Sequence, residues 1–292
     1  MKKVSPGVFK VTNKINLDEI PTKFDLEVKK KRVKKALEST REDLGEWQDK
    51  LYAHGKYAVL VCLQGIDTAG KDSLIREVFK DFNSRGVVVH SFKVPNSLEL
   101  KHDYLWRHYI ALPARGKFGV FNRTHYENVL VTRVHPEYLL NENLPQIKGL
   151  EDINEDFWEN RFEQIRNFEE HIVRNGTIVF KFFLHISKEE QRQRLLRRLN
   201  KPNKNWKFSP GDLEERKLWE TYRKYYQDAI NKTSTEKAPW YVIPSDSKPT
   251  ARYLVAKILY EELIKYKDVK EPELAPEIFK KLKEYIEELK KE

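Results

Sequence analysis

In 292 residues there is one cysteine, Cys62, and one methionine, Met1. A lone cysteine excludes an internal disulfide, and its place in an apolar run marks it as a small core residue rather than a nucleophile. Long hydrophobic runs are missing as well. YAVLVCL (57–63) and FFL (182–184) fall far short of the ~20 residues that a bilayer-spanning helix needs. The opening MKKVSPGVFKV has two lysines but no apolar stretch behind them, so no secretory signal is expected. Repeats and low-complexity linkers are absent too. Together these absences lead us to expect a cytoplasmic protein with no membrane partner. The scarcity of Met and Cys beside many Lys and Glu fits heat adaptation only weakly, and the abundant Asn speaks against it.

Charge is what the chain has in quantity. Charged residues make up 34% of it, and 55 Lys and Arg against 45 Asp and Glu leave a formal charge of +10. With 39% hydrophobic residues the composition is that of a folded protein long enough for a sizeable core. The basic excess points to a polyanionic partner, without choosing between nucleic acid, phosphorylated metabolites, an inorganic polyanion and an acidic membrane.

Residues 1–25 read as an arm, and Leu26 to Leu51 as an amphipathic helix whose Lys30–Lys35 block is either a solvated face or one wall of a polyanion groove. Strands are expected at 56–64, 86–94, 117–126, 177–186 and 239–244. Helices are expected at 70–82, 98–112, 155–174, from Ser187 through the capping box Ser187/Glu190, 213–231, 249–266 and 275–291. A basic loop spans 200–213. Strands alternating with helices predict an α/β fold: a doubly wound parallel sheet with helices on both faces. The parse is an N-terminal arm and basic helix (1–52), a main domain (53–266) with a lid at about 197–212, and a C-terminal helix (267–292).

Three segments point to chemistry. Gly65-x4-Gly70-Lys71 lies between an expected strand and an expected helix, the context of a phosphate-binding loop. Its glycines turn backbone N–H groups toward phosphate, and the helix N-terminus and Lys71 add positive charge. Gly65, Ala69 and Gly70 are candidate phosphate contacts. Asp72 stands where Ser or Thr is usual, and a second acid, Asp67, lies inside the loop. Carboxylates beside phosphates repel unless a cation intervenes, and magnesium commonly takes one or two of them. Asp67 is therefore a candidate metal ligand or base. Asp72 is either a binding residue or a first-turn acid favoured by the helix dipole. FNRTHYENVL (121–130) follows the third strand, so Asn122, Arg123 and Glu127 should face the loop, Arg123 as a phosphate fork and Glu127 as a metal ligand, or the two as an internal ion pair. RRLNKPNKNWKF (197–208) gathers Arg197, Arg198, Lys204 and Lys207. That is a lid able to neutralise moving phosphoryl charge and exclude water, or else a solvated basic loop. His102, Asp103 and His108 suggest a metal only weakly, since the Tyr and Trp around them favour packing.

GIDTAGKD, RRLNKPNKNWK and FNRTHYE together resemble the polyphosphate kinase 2 family, whose corresponding patterns are G-x-D-x-x-G-K-D, R-R-x5-K-x-W-K and F-[DN]-R-[ST]-x-Y-[NE]. The likeness covers roughly 30–265 and extends to SFKVPNSLELKHDYLWRHYIALP and NRTHYENVLVTRVHPEYL. It implies a P-loop kinase fold and magnesium-dependent, reversible phosphoryl transfer between inorganic polyphosphate and nucleotides. The nucleotides would be those of adenine, with guanine as a second option. Asp67 and Lys71 would hold the loop roles, with Asp67 and Glu127 at the metal. Arg123, Arg197 and Arg198 would contact phosphates, with Lys204 and Lys207 completing the lid. Many members have Asp and Asn where this chain has Asn122 and Glu127. The exchange resembles the subclass acting on both AMP and ADP. The resemblance also implies a homo-oligomer, dimer or tetramer. A conventional ATP-dependent nucleotide kinase is the alternative. A nucleic-acid-binding module is less consistent, because the aromatics look packed rather than interleaved with exposed cations.

Overall fold

The computed structural model describes residues 1–292 apart from the side chain of Lys207. Five strands form one sheet: β1 (Ala58–Gln64), β2 (Val87–Ser91), β3 (Phe118–Asn122), β4 (Thr177–His185) and β5 (Trp240–Pro244). Their order is β2-β3-β1-β4-β5 and every pairing is parallel. In the register, Val61 lies beside Val120 of β3 and Phe180 of β4. Ten helices are described: α1 (Lys30–His54), α2 (Lys71–Val78), α3 (Trp106–Tyr109), α4 (Glu127–Val134), α5 (Glu155–Arg174), α6 (Lys188–Leu199), α7 (Gly211–Lys217), α8 (Trp219–Thr233), α9 (Lys248–Leu263) and α10 (Pro276–Leu289).

Side chains alternate across a strand, and the two faces of β1 meet different helices. Val59, Val61 and Leu63 join Leu44 and Leu51 of α1, Leu74 and Val78 of α2, and Leu254 and Ile258 of α9. Leu60 and Cys62 pack with Phe168 and Ile172 of α5. Nearby, Val129 and Leu130 of α4, Ile165 of α5 and Ile230 of α8 pack on Phe183 and Val242. Both faces are covered, so β1, β4 and β5 are apolar almost without interruption. The expected doubly wound α/β architecture is what forms.

Residues 1–25 lie along the body. Val11 donates to the Trp240 carbonyl at 2.8 Å and Val242 to the Phe9 carbonyl at 2.9 Å, which pairs the open edge of β5. The lone cysteine is fully buried, as expected, and burial raises its thiol pKa well above the ordinary range.

Four local expectations are corrected. The helix foreseen at 98–112 is only a 3-10 turn at Glu99–Lys101 and the single turn of α3, because His102 is extended and the Asp103 carboxylate accepts from Leu105 N–H at 2.8 Å. His102 stacks on Trp106 with ring centres 4.0 Å apart, and His108 is buried against Phe92, so packing accounts for both. The strand foreseen at 117–126 ends at Asn122, and a helix that was not expected, α4, follows it. The 200–213 stretch forms a 3-10 helix at Pro202–Lys207 and the start of α7, and a break at Leu218 separates α7 from α8. Ser187 does cap α6, accepting from Glu190 N–H at 3.0 Å, but the Glu190 carboxylate turns to Arg194. Half of the capping box is made.

Candidate active site

The chain leaves β1 for α2 and returns through β2 to β3, while β4 lies on the other side of β1. Loops at the carboxyl ends of β1 and β3 thus border the crevice where the winding reverses. Residues 65–70 form the first of these loops. A Cβ on Gly65 would sit 3.0 Å from that of Ala69 and 3.1 Å from the Leu184 carbonyl, so only glycine fits there. Gly70 takes φ +109°, open to glycine and strained for other residues. Thr68 is held at φ +67° without that freedom. Strain of this kind persists where surrounding structure over-determines it, commonly at functional sites. Lys71 opens α2, and its Nζ donates to the Gly65 carbonyl at 2.5 Å. Burial, then Arg123, pushes its pKa down to about 8, while Asp67, Glu127 and Asp72 pull it up.

Opposite this loop stands the turn from β3 to α4. Arg123, at φ +61°, reaches across with both guanidinium nitrogens. Nη2 donates to Asp67 Oδ1 at 2.6 Å and Nη1 to Glu127 Oε2 at 3.1 Å. Glu127 first, and Asp67 after it, raise the Arg123 pKa and keep the group charged. Asn122 Nδ2 donates to Asp72 Oδ1 at 2.8 Å, which ties the start of α2 to β3. Asp67, Lys71, Asp72, Asn122, Arg123 and Glu127 are therefore brought together. The ion pair weighed for Arg123–Glu127 and the first-turn acid weighed for Asp72 are both present. Asp67, Arg123 and Glu127 line a cleft that also includes Gly65, Gln191, Glu215, Tyr222 and Tyr226.

The lid residues stand apart from this triad. Arg198 Nη1 donates to Asp212 at 3.2 Å, Arg197 and Lys204 are exposed, and the Lys207 side chain lies outside the described residues. Arg197 and Lys204 instead bear electrostatically on Lys248, at the start of α9. Sequence reasoning missed the residues that join α6 to the loop. Gln191 Nε2 donates to the Asp67 carbonyl at 3.1 Å, and buried Arg194 to the carbonyls of Thr68 (3.1 Å) and Ala69 (2.6 Å). Their one signal was position, a turn or two before Arg197 on the same helix. Tyr222 and Tyr226 of α8 gave no signal at all.

Among the described residues no group of three or more His, Cys, Asp or Glu makes a preformed metal cage. Asp67 and Glu127 nonetheless share one guanidinium, and two carboxylates completed by phosphate oxygens and water are a normal magnesium environment. That pair fits the ion.

A glycine-framed loop between a parallel strand and a helix, faced by a carboxylate–guanidinium triad, defines a phosphotransferase of the P-loop kinase class. The family follows from comparison: residues 27–272 match the model of polyphosphate kinase 2 (PPK2), and the chain belongs to that family. It is 43% identical over 279 residues to an ADP-polyphosphate phosphotransferase of Rhodopseudomonas palustris, covering 95% of each chain. It is 47% identical over 228 residues to an AMP/ADP-polyphosphate phosphotransferase of Meiothermus ruber, covering 78% of this chain and 80% of that one. The crystal structure of polyphosphate kinase 2 from Arthrobacter aurescens TC1 superposes with a TM-score of 0.88 at 34% identity, over 97% of both chains.

Proposed function

We propose that this protein transfers a phosphoryl group from inorganic polyphosphate to AMP and to ADP, reversibly, giving ADP and ATP. The observation that carries the reading is the meeting of Asp67, Arg123 and Glu127 beside Lys71 in a member of this family. The relatives' names differ on the acceptor: one is an ADP enzyme, the other an AMP/ADP enzyme. Asn122 and Glu127 support the dual-acceptor reading here.

In the proposed reaction the α2 N-terminus, Lys71 and Arg123 bind and orient phosphate oxygens, with Gly65, Ala69 and Gly70 letting the backbone approach. Arg197, Arg198, Lys204 and Lys207 neutralise charge from the lid. Asp67 and Glu127 would hold magnesium, which would supply charge neutralisation for the phosphates. The acceptor is already an oxyanion, so no side chain need act as a nucleophile, and positioning and electrostatics suffice. A cytoplasmic setting, where nucleotides and polyphosphate meet, is part of the proposal; among the described residues no helix is long and apolar enough to cross a membrane. Adenine nucleotides are the acceptors proposed, guanine nucleotides the second choice. A homo-oligomer, dimer or tetramer, is supported by the exposed apolar stripe of α10.

The test is ATP formation by the purified protein with magnesium and long-chain polyphosphate, with AMP or ADP as sole acceptor. ATP from both is expected. ATP from ADP alone would restrict the acceptor; activity only with ATP as donor would favour a conventional nucleotide kinase. Exchanging the pair, Asn122→Asp with Glu127→Asn, sets a carboxylate against Asp72 and removes one from Arg123. The AMP:ADP rate ratio should fall at least about tenfold, a change of about 1.4 kcal/mol in relative barrier. An unchanged ratio would remove the role given to these two residues.

A further inference from the structure

The N-terminal arm does more than close the edge of β5. Residues 1–25 precede the segment that matches the family model, so the match itself gives them no role. Past Val11 the arm runs along α8, where Asn231 Oδ1 accepts from Ile15 N–H and Gln227 Oε1 from Leu17 N–H, both at 2.8 Å. Leu17 is buried in the same cluster as Tyr226, which lines the cleft. The Ile20 carbonyl then accepts from His185 Nε2 at 3.1 Å, at the end of β4. Finally the arm meets the turn from β5 into α9. Asp246 N–H donates to the Thr22 carbonyl at 3.0 Å, and the Thr22 hydroxyl donates to Asp246 Oδ2 at 2.7 Å.

Asp246 joins that contact to the phosphate loop. Its Oδ1 accepts from the N–H of Ser187, the cap of α6, at 2.8 Å. Its carbonyl and that of Ser245 accept from Arg194 Nη2, at 3.3 and 2.5 Å. Nη1 of the same guanidinium holds the Thr68 and Ala69 carbonyls of the loop. Arg194 is a buried strut between two stretches of backbone, and it fixes one only as well as the other is fixed. The loop needs such a hold, because Thr68 at φ +67° keeps a conformation that threonine leaves unless its surroundings impose it. The turn takes its position from Asp246, and Asp246 takes its own from Thr22 and Ser187. Thr22 and Asp246 are themselves only half-buried, so breaking their contact should disturb the loop more than the stability of the fold.

We propose that Thr22 and Asp246 are positioning residues for phosphoryl transfer: the N-terminal arm braces the phosphate loop through Asp246 and Arg194. The inference rests on the phosphotransfer reading above and adds a remote support to that site. Small displacements at a reacting centre are costly even when their origin is distant. The brace has a direction. Thr22 acts on Asp246, Asp246 on the turn, and the turn on the loop through one guanidinium, so loss of Arg194 makes the arm contact irrelevant to the loop. The rival role for the contact is simply to tie down a chain terminus, and that role would leave the loop as it is.

The test uses the full chain with Thr22→Val, Thr22→Ser, Asp246→Ala and Arg194→Lys, each checked for folding by thermal melt. Valine keeps the shape of Thr22 and removes its hydroxyl; serine keeps the hydroxyl. In Thr22→Val, kcat with polyphosphate and ADP at saturation should fall at least about fivefold. Amide hydrogen exchange over residues 65–70 should quicken at least about tenfold, while exchange in β1 and β4 stays as in the parent. Thr22→Ser should restore most of both, and Asp246→Ala should move both the same way as Thr22→Val. A lysine at 194 can grip the loop or the turn but cannot bridge them. Thr22→Val added to Arg194→Lys should therefore lower kcat by less than about twofold more. A lower melting temperature in Thr22→Val with unchanged kcat and loop exchange would leave the arm a tied terminus and overturn the proposal. Fully additive effects of Thr22→Val and Arg194→Lys would overturn the route through Arg194. Exchange needs no turnover. A parent protein that makes no ATP from polyphosphate, yet shows the quickened loop exchange in Thr22→Val, would sink the phosphotransfer reading and leave the brace standing, so the two failures are distinguishable.

Discussion

Lys71 is buried, next to a guanidinium and near three carboxylates, and burial outweighs the rest, bringing its pKa to about 8 from the usual ~10.4. The sign of the consequence follows directly. As pH rises through about 8 the free protein loses the Lys71 charge, and with it affinity for phosphate. Bound phosphate stabilises the ammonium and moves the loss upward. We therefore expect kcat/KM, which reports the free enzyme, to fall above about pH 8, and kcat at saturation to hold to higher pH. A rate profile taken from neutral to alkaline pH checks this, and a flat kcat/KM through the whole range would contradict it. Stability runs the other way. A folded pKa below the unfolded one means that the unfolded chain holds more protons between those values, so stability should rise with pH across that window. The sequence showed Lys71 because its partners are local in the chain: a glycine before it, a strand before that, a helix after. Lys248 and Arg194 were not legible, because a lysine opening a helix and one arginine among many acquire meaning only when β5 and α6 are packed against the loop.

The β3–α4 turn is held from behind by a buried polar network that joins four elements. Thr124, His125 and Tyr126, the three residues after Arg123, are fully buried. Glu169 of α5 accepts from the Tyr126 hydroxyl at 2.7 Å, meets His125 Nε2 at 3.2 Å and pairs with Lys181 of β4 at 2.6 Å. Lys181 also donates to the Tyr126 hydroxyl (2.9 Å) and to the Thr233 carbonyl at the end of α8 (2.7 Å). Removing one member strands a buried charge, so Lys181→Met should cost ~3–5 kcal/mol. Lys181→Met with Glu169→Leu should cost clearly less than the two single changes added together. Urea unfolding of the three variants measures both; a Lys181→Met cost below ~1 kcal/mol would show that the network is not what secures the turn. The hydrophobic period made α1 and α5 legible, since each has one buried face, the cap marked α6, and unbroken apolar runs marked β1, β4 and β5. The period misled where side chains imitated it. Trp106 and Tyr109 extend an apparent stripe past Asp103, whose carboxylate breaks the helix. No helix was expected between 112 and 155, yet burial of Val129 and Leu130 folds Glu127–Val134 as α4. Lys181 lay unnoticed in the clearest strand of the chain, because its partners lie on three other elements.

At the scale of the whole molecule, α10 is the part that the rest of the fold does not explain. It lies beyond the residues that match the family model, and none of its residues is buried. Ile278, Phe279, Leu282, Tyr285, Ile286 and Leu289 are all exposed, Phe279 by 66% and Leu289 by 69%, at the spacing of one helical face. A helix this short is marginal in water unless an amphipathic face is covered. A second copy of the chain fits best, because the stripe can cover itself in an antiparallel pair. With the pair centred between residues 283 and 284, Ile278 of one copy meets Leu289 of the other, and Leu282 meets Tyr285. A helix of 14 residues spans about 21 Å, and two of them bury less than the ~1,600 Å² of a standard interface. The pair should therefore strengthen an assembly that other surfaces also hold. Leu282→Asp with Ile286→Asp, in the full chain, should shift sedimentation toward smaller species and weaken self-association at least tenfold. The melting temperature of the α/β body should barely change, since neither residue touches its core. Sedimentation unchanged by the aspartates would leave α10 outside the assembly.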